Sequence, residues 1–181
     1  MSETAPSHYA NAWDPDRDVQ NEAFLQIMSD TVRPVPWAAA VWDDVVAHLA
    51  DADNHNRAIA GQLLCNLAAQ DSGDRILGDL PALVAVTHDP KFVTARHTLR
   101  SLWRIGLGSD VQRKAVVAAL AARYQESFPE QNGTLVRSDI VDTLRHLHDA
   151  THDETIRDTA LELIDTEPDE KYRAKYARFW R

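Results

Sequence analysis

Three arginines, Arg96, Arg100 and Arg104, recur at intervals of four, with His97 beside the first and Trp103 directly before the last. On an α-helix this spacing lines up the three guanidinium groups along one side. A guanidinium is a planar fork of donors that matches the oxygens of carboxylates and phosphates, and Trp103 adds an apolar neighbour. Such a row is either a solvated edge, paired with the chain's surplus of acids, or the lining of a groove that takes anionic groups. Arg96, His97, Arg100, Trp103 and Arg104 are therefore the candidate partner-binding residues.

Histidine and aspartate suggest a second chemistry, metal ligation. His148 and His152 stand four apart with Asp149 and Asp153 beside them, and His88-Asp89 forms another pair. Both groups fall at predicted turns, and no helix-borne His-Glu-x-x-His motif or cysteine cluster accompanies them. His148 also precedes the Ala150-Thr151 turn, where a partly positive ring favours a helix C-terminus. No metal or cofactor is assigned. Cys65 stands alone, which excludes an intramolecular disulfide, and within Leu63-Leu64-Cys65-Asn66-Leu67 it reads as a buried, inert thiol. Neither a Ser-His-Asp nor a Cys-His motif is present, and the six glycines build no phosphate-cradling loop.

These side chains must be positioned by helices. The 181 residues, 44% of them hydrophobic, suit one domain with a real core. Residues 1–16 lack periodicity and carry Pro6 and Pro15, so they read as a flexible lead with Trp13 as an anchor; residues 17–181 read as a single helical domain. Apolar residues recur at three and four through Val19, Ala23, Phe24 and Ile27, then Trp37, Val41, Val45 and Leu49, then Ala60, Leu63, Leu64 and Leu67. The last two stripes, joined at 51–56, form a helical hairpin. Ile76 to Val84 makes the next stripe, and Phe92, Ala95, Leu99, Leu102 and Trp103 make one continuous helix that carries the arginine row and ends at Gly106 and Gly108. Further stripes run through Val116 to Tyr124, Val136 to Leu147, Ile156 to Ile164 and Tyr172 to Trp180. The total is about eight or nine helices, with no alternation that would support a sheet.

A weak internal pattern accompanies the hairpins. Asp153, Ile156, Arg157, Ala160 and Ile164 resemble the second helix of a HEAT repeat, which sets Asp, an apolar residue, Arg, Ala and an aliphatic residue at those intervals. Asp53, Arg57, Ala60 and Leu64 resemble it with Asn56 in the apolar place, and Val136, Arg137, Ile140 and Leu144 match its middle. The resemblance covers residues 37–165 and implies an all-α, helical-hairpin solenoid of the HEAT/armadillo-like type. An aspartate at the turn can cap its helix while the arginine reaches a neighbouring repeat, so Asp53, Arg57, Asp153 and Arg157 read as structural. The His-Asp pairs bear a superficial likeness to all-helical HD phosphohydrolases, and Trp42-Asp43-Asp44-Val45 slightly resembles a segment of helical-repeat DNA glycosylases. These leave a metal-dependent hydrolase and a nucleic-acid-binding protein as alternatives.

The formal charge of −9 opposes broad binding to nucleic acid or an anionic membrane, though a local basic patch is compatible with it, and by bulk charge a basic or neutral partner fits better. No apolar run approaches the roughly 20 residues of a membrane-spanning helix, and Met1 to Pro6 does not read as a secretory signal. The expectation is a non-enzymatic, cytoplasmic adaptor or regulatory protein that presents a curved helical surface to a protein partner. The stripe of Tyr172, Tyr176, Phe179 and Trp180 reads as a cap on the last hydrophobic face, and leaves room for a homo-oligomer.

Overall fold

A computed structural model describes residues 4–71 and 73–181. Among these residues the chain forms ten α-helices and no strand: α1 (Ser7–Asn11), α2 (Arg17–Asp30), α3 (Ala38–His48), α4 (Asn54–Ala68), α5 (Ile76–Val86), α6 (Phe92–Leu99), α7 (Asp110–Glu126), α8 (Gly133–Thr151), α9 (Glu154–Asp165) and α10 (Glu170–Ala177). Short 3₁₀ turns, Leu102–Leu107 and Arg178–Trp180, follow α6 and α10. No helix among the described residues is long and apolar enough to cross a membrane.

The helix beyond the eight or nine expected is α1, whose five residues are too few to show a period. It lies in the stretch read as a flexible lead. Tyr9 is buried, its ring lies 6.3 Å from that of Trp37, and its hydroxyl donates to Asp44 at 2.7 Å. Trp13 stacks on His48 with ring centroids 3.8 Å apart, which makes it the anchor its position suggested.

Consecutive helices pair, and the pairs contact their neighbours in order. Helix α3 packs on α4, α5 on α6, α7 on α8, and α9 on both α8 and α10. The even-numbered helices also touch in succession from α2 to α10, as do the odd-numbered helices from α3 to α9. One continuous core runs through the pairs, with Ile27, Leu63, Leu83, Leu120, Leu144 and Ala160 each fully buried.

Local chemistry explains where the helices begin. Asp16, Asp53, Asp153 and Asp169 accept backbone N–H groups at the heads of α2, α4, α9 and α10, and Ser109 does so for α7. Arginines then tie each even-numbered helix from α2 to α8 to the next one or to the turn that leads into it. Arg17 pairs with Asp53, Arg57 donates to Asp89 at 2.6 and 3.1 Å, Arg96 to Asp139 at 2.6 and 2.9 Å, and Arg137 to Glu167 at 2.7 Å. Asp53 and Arg57 thus hold helix starts and neighbours together. Among the described residues Arg157 does not reach across; its ion pair is with Glu154 of its own helix, at 3.9 Å.

Candidate functional site

The arginine row is not carried on one straight helix. Helix α6 ends at Leu99, Arg100 closes it, and the chain continues as the 3₁₀ turn that holds Trp103 and Arg104. The Ser101 hydroxyl donates back to the His97 carbonyl at 2.9 Å. Tight packing accompanies the change of helix type: a Cβ on Gly106 would stand 2.7 Å from Cδ1 of the fully buried Leu147, so only glycine lets this turn lie so close to α8. With three residues per turn instead of 3.6, the register after Leu99 departs from the even stripe that the spacing predicts.

The three guanidinium groups consequently meet different surroundings. Arg96 is committed to Asp139, whose side chain is 7% exposed, and that hydrogen bond raises the arginine's pKa. Arg100 lies 3.7 Å from Asp142 on α8 and is largely open to solvent. Arg104 is part-buried over the Trp103 ring, 4.9 Å from its centroid. Among the described residues it makes no side-chain hydrogen bond or ion pair, and burial lowers its pKa while leaving an arginine charged.

Arg100, Trp103, Arg104 and His97 line a cavity of about 310 Å³ with Gln62 of α4 and Asp142, Thr143 and His146 of α8. The His146 ring lies 5.9 Å from that of Trp103. Burial, then Arg100 and Arg96, push the His97 pKa below its ordinary value, so the permanent positive charge here comes from Arg100 and Arg104. Of the five candidates, four line this cavity, and Arg96 stands apart in its pair with Asp139. Reading one helix missed Gln62, Asp142 and His146. Their signal is register: the even-numbered helices begin about 40 residues apart, so Gln62 and Asp142 fall close to one such step before and after the arginines.

The cavity shares lining residues with two others. His97 and Gln62 also line a space of about 600 Å³ bounded by Phe24, Ile59 and Val93, and Trp103 and Arg104 line one of about 380 Å³ with Val32, Pro34, Asn66 and Leu107. The three lie side by side over α2, α4, α6 with its 3₁₀ extension, and α8, the shared one polar and cationic and the other two more apolar.

No family model matches the chain, and no curated protein matches its sequence. Its fold is similar to that of an engineered protein solved by crystallography. The two superpose with a TM-score of 0.51 at 16% identity, over 95% of this chain and 92% of that one. At this identity the likeness concerns fold alone.

The other residues considered for chemistry have different surroundings. Asp89 is taken by Arg57, while His88 faces Glu126 and Glu130 at 3.3 and 3.8 Å. His152 closes α8 in a left-handed conformation, and His148 lies edge-on to Trp180. Among the described residues no group of three or more His, Cys, Asp or Glu is arranged to hold a metal ion. Trp42 is buried, donates to Asp79 at 2.8 Å and lies under Arg75, a structural role. Burial pushes the Cys65 thiol up to about 12, which suits an inert core residue.

Proposed function

We propose that this chain is a HEAT/armadillo-like array of helical hairpins that acts as a non-enzymatic adaptor or regulatory protein, receiving a protein partner in the groove of its even-numbered helices. Arg100, Arg104, Trp103 and His97 are the residues assigned to contact, and Arg96 is a brace that fixes α6 on α8. The carrying observation is Arg104, a part-buried cation without a carboxylate among the described residues, in a chain with 28 acidic side chains. Leaving a charge unpaired in a part-dry site costs stability, and the groove around it offers a functional reason for that cost.

The array reading draws support from the reach of the side-chain contacts. Side-chain hydrogen bonds from one even-numbered helix to the next, or to the turn that leads into it, span from 30 positions, Arg137 to Glu167, up to 44, Thr143 to Leu99, the distance from one hairpin to the next. A cytoplasmic setting belongs to the same reading and suits a lone cysteine kept as a thiol. The test is capture of partners from native lysate by the intact chain and by an Arg100→Glu/Arg104→Glu variant. Loss of a reproducible partner, with thermal unfolding unchanged, is the expected result; equal capture by both would remove the site.

A further inference from the structure

We propose that the groove's occupant is an extended acidic peptide segment, with a carboxylate seated between Arg100 and Arg104 and apolar side chains on either side of it. This rests on the adaptor reading and names the chemistry of its partner.

Three features of the groove argue for that occupant. Its centre is positive within a negative chain: Arg100 and Arg104 face the cavity against one carboxylate, Asp142, which lies near Arg100 and His146 and forms no pair with Arg104. The net charge of −9 would repel a polyanion such as nucleic acid over the rest of the surface, whereas one carboxylate on a short segment meets only the local field. Both flanks are apolar and open to a ligand, with Val93 65% exposed next to Phe24, and Val32 77% and Leu107 40% exposed at the other end. A free inorganic anion would use the centre and neither flank; a peptide uses all three.

Arg104 also separates binding from folding. Because it pairs with no acid, replacing it removes the cost of a part-buried charge and breaks no bridge. The test uses the intact chain to select from a displayed library of random short peptides. The enriched sequences, made with a fluorescent label, are then titrated against the intact chain, Arg104→Gln and Val93→Glu. Asp or Glu flanked by aliphatic residues should be enriched, and glutamine in place of the acid should weaken binding about tenfold or more. Arg104→Gln should lose a similar factor with a melting temperature equal to or above that of the parent, and Val93→Glu should weaken the same peptides. Inorganic phosphate at equal concentration should fail to displace them. Enriched peptides without acids, or ones indifferent to Arg104 yet weakened by Val93→Glu, would overturn the acidic segment and leave the adaptor groove standing. Peptides indifferent to both variants, or no enrichment at all, would overturn groove and occupant together.

Discussion

At the residue scale, arginines of similar sequence setting do opposite work, and burial of the partner separates them. Arg137 and Glu167 are 5% and 1% exposed as side chains, 2.7 Å apart, with the guanidinium 4.2 Å from the Phe128 ring centroid. Removing one member strands the other charge away from water, at a cost of about 3 kcal/mol or more. Glu167→Ala should therefore lower the stability read from urea unfolding by that amount, while Arg137→Met with Glu167→Leu should regain most of it; equal stability of the single variant and the parent would discount the bridge. Asp53 gives a test by pH. The Arg17 hydrogen bond, more than burial opposes it, lowers its pKa from 3.8 to about 2. Between these values the unfolded chain takes up a proton that the folded chain refuses, so Asp53's contribution is complete above about pH 4 and lost as pH falls toward 2. Thermal unfolding across that window should fall more steeply in the parent than in Arg17→Gln, and parallel curves would detach Asp53 from acid stability.

At the scale of elements, the break after α6 makes the site. A continuous helix would have kept Arg104 in line with Arg96; the 3₁₀ turn instead holds it beside Trp103 and close to α4 and α8. Gly106 permits the approach. Alanine there is the better helix former, yet its methyl would press on Leu147, which is fully buried and has little room to yield. Overpacking outweighs propensity, and Gly106→Ala should cost about 1–3 kcal/mol in denaturant unfolding. A stabilised variant would show that the close approach is not needed. At the other end of the chain, the aromatic residues of α10 and its 3₁₀ turn pack inward: Tyr176 is fully buried and donates to the Thr134 carbonyl at 2.7 Å, and Arg145 covers Trp180. That packing covers α8 and α9.

At the scale of the whole molecule, contacts run from each helix pair to the next, so stability should be graded along the chain. The central helices α4 and α8 are packed on both sides along the even-numbered row, while α2 and α10 have one neighbour in it. Native-state hydrogen exchange should show α10 and α1 opening at lower free energy than α4 and α8, as expected where cooperative units couple to their neighbours. Uniform opening of all ten helices at one free energy would argue for a single indivisible core.

Helix positions follow from the sequence because an apolar period of three to four and capping aspartates act locally: α2 to α5 and α7 to α9 lie where their stripes and turns predict. Asp53 and Arg57 are legible for the same reason, since a cap is made within a few residues and an arginine in the first turn has few directions to reach. Tertiary structure decided the rest. Helix α1 depends on Tyr9 and Trp13 finding Asp44 and His48, about 35 residues away, which no local period records. The division of the arginine row into a brace at Arg96 and an unpaired charge at Arg104 depends on where α8 places Asp139 and on Leu147 meeting Gly106. Spacing along a helix states which side chains share a face; whether a charge on that face finds a partner is settled by the helix that packs against it, some 40 residues on.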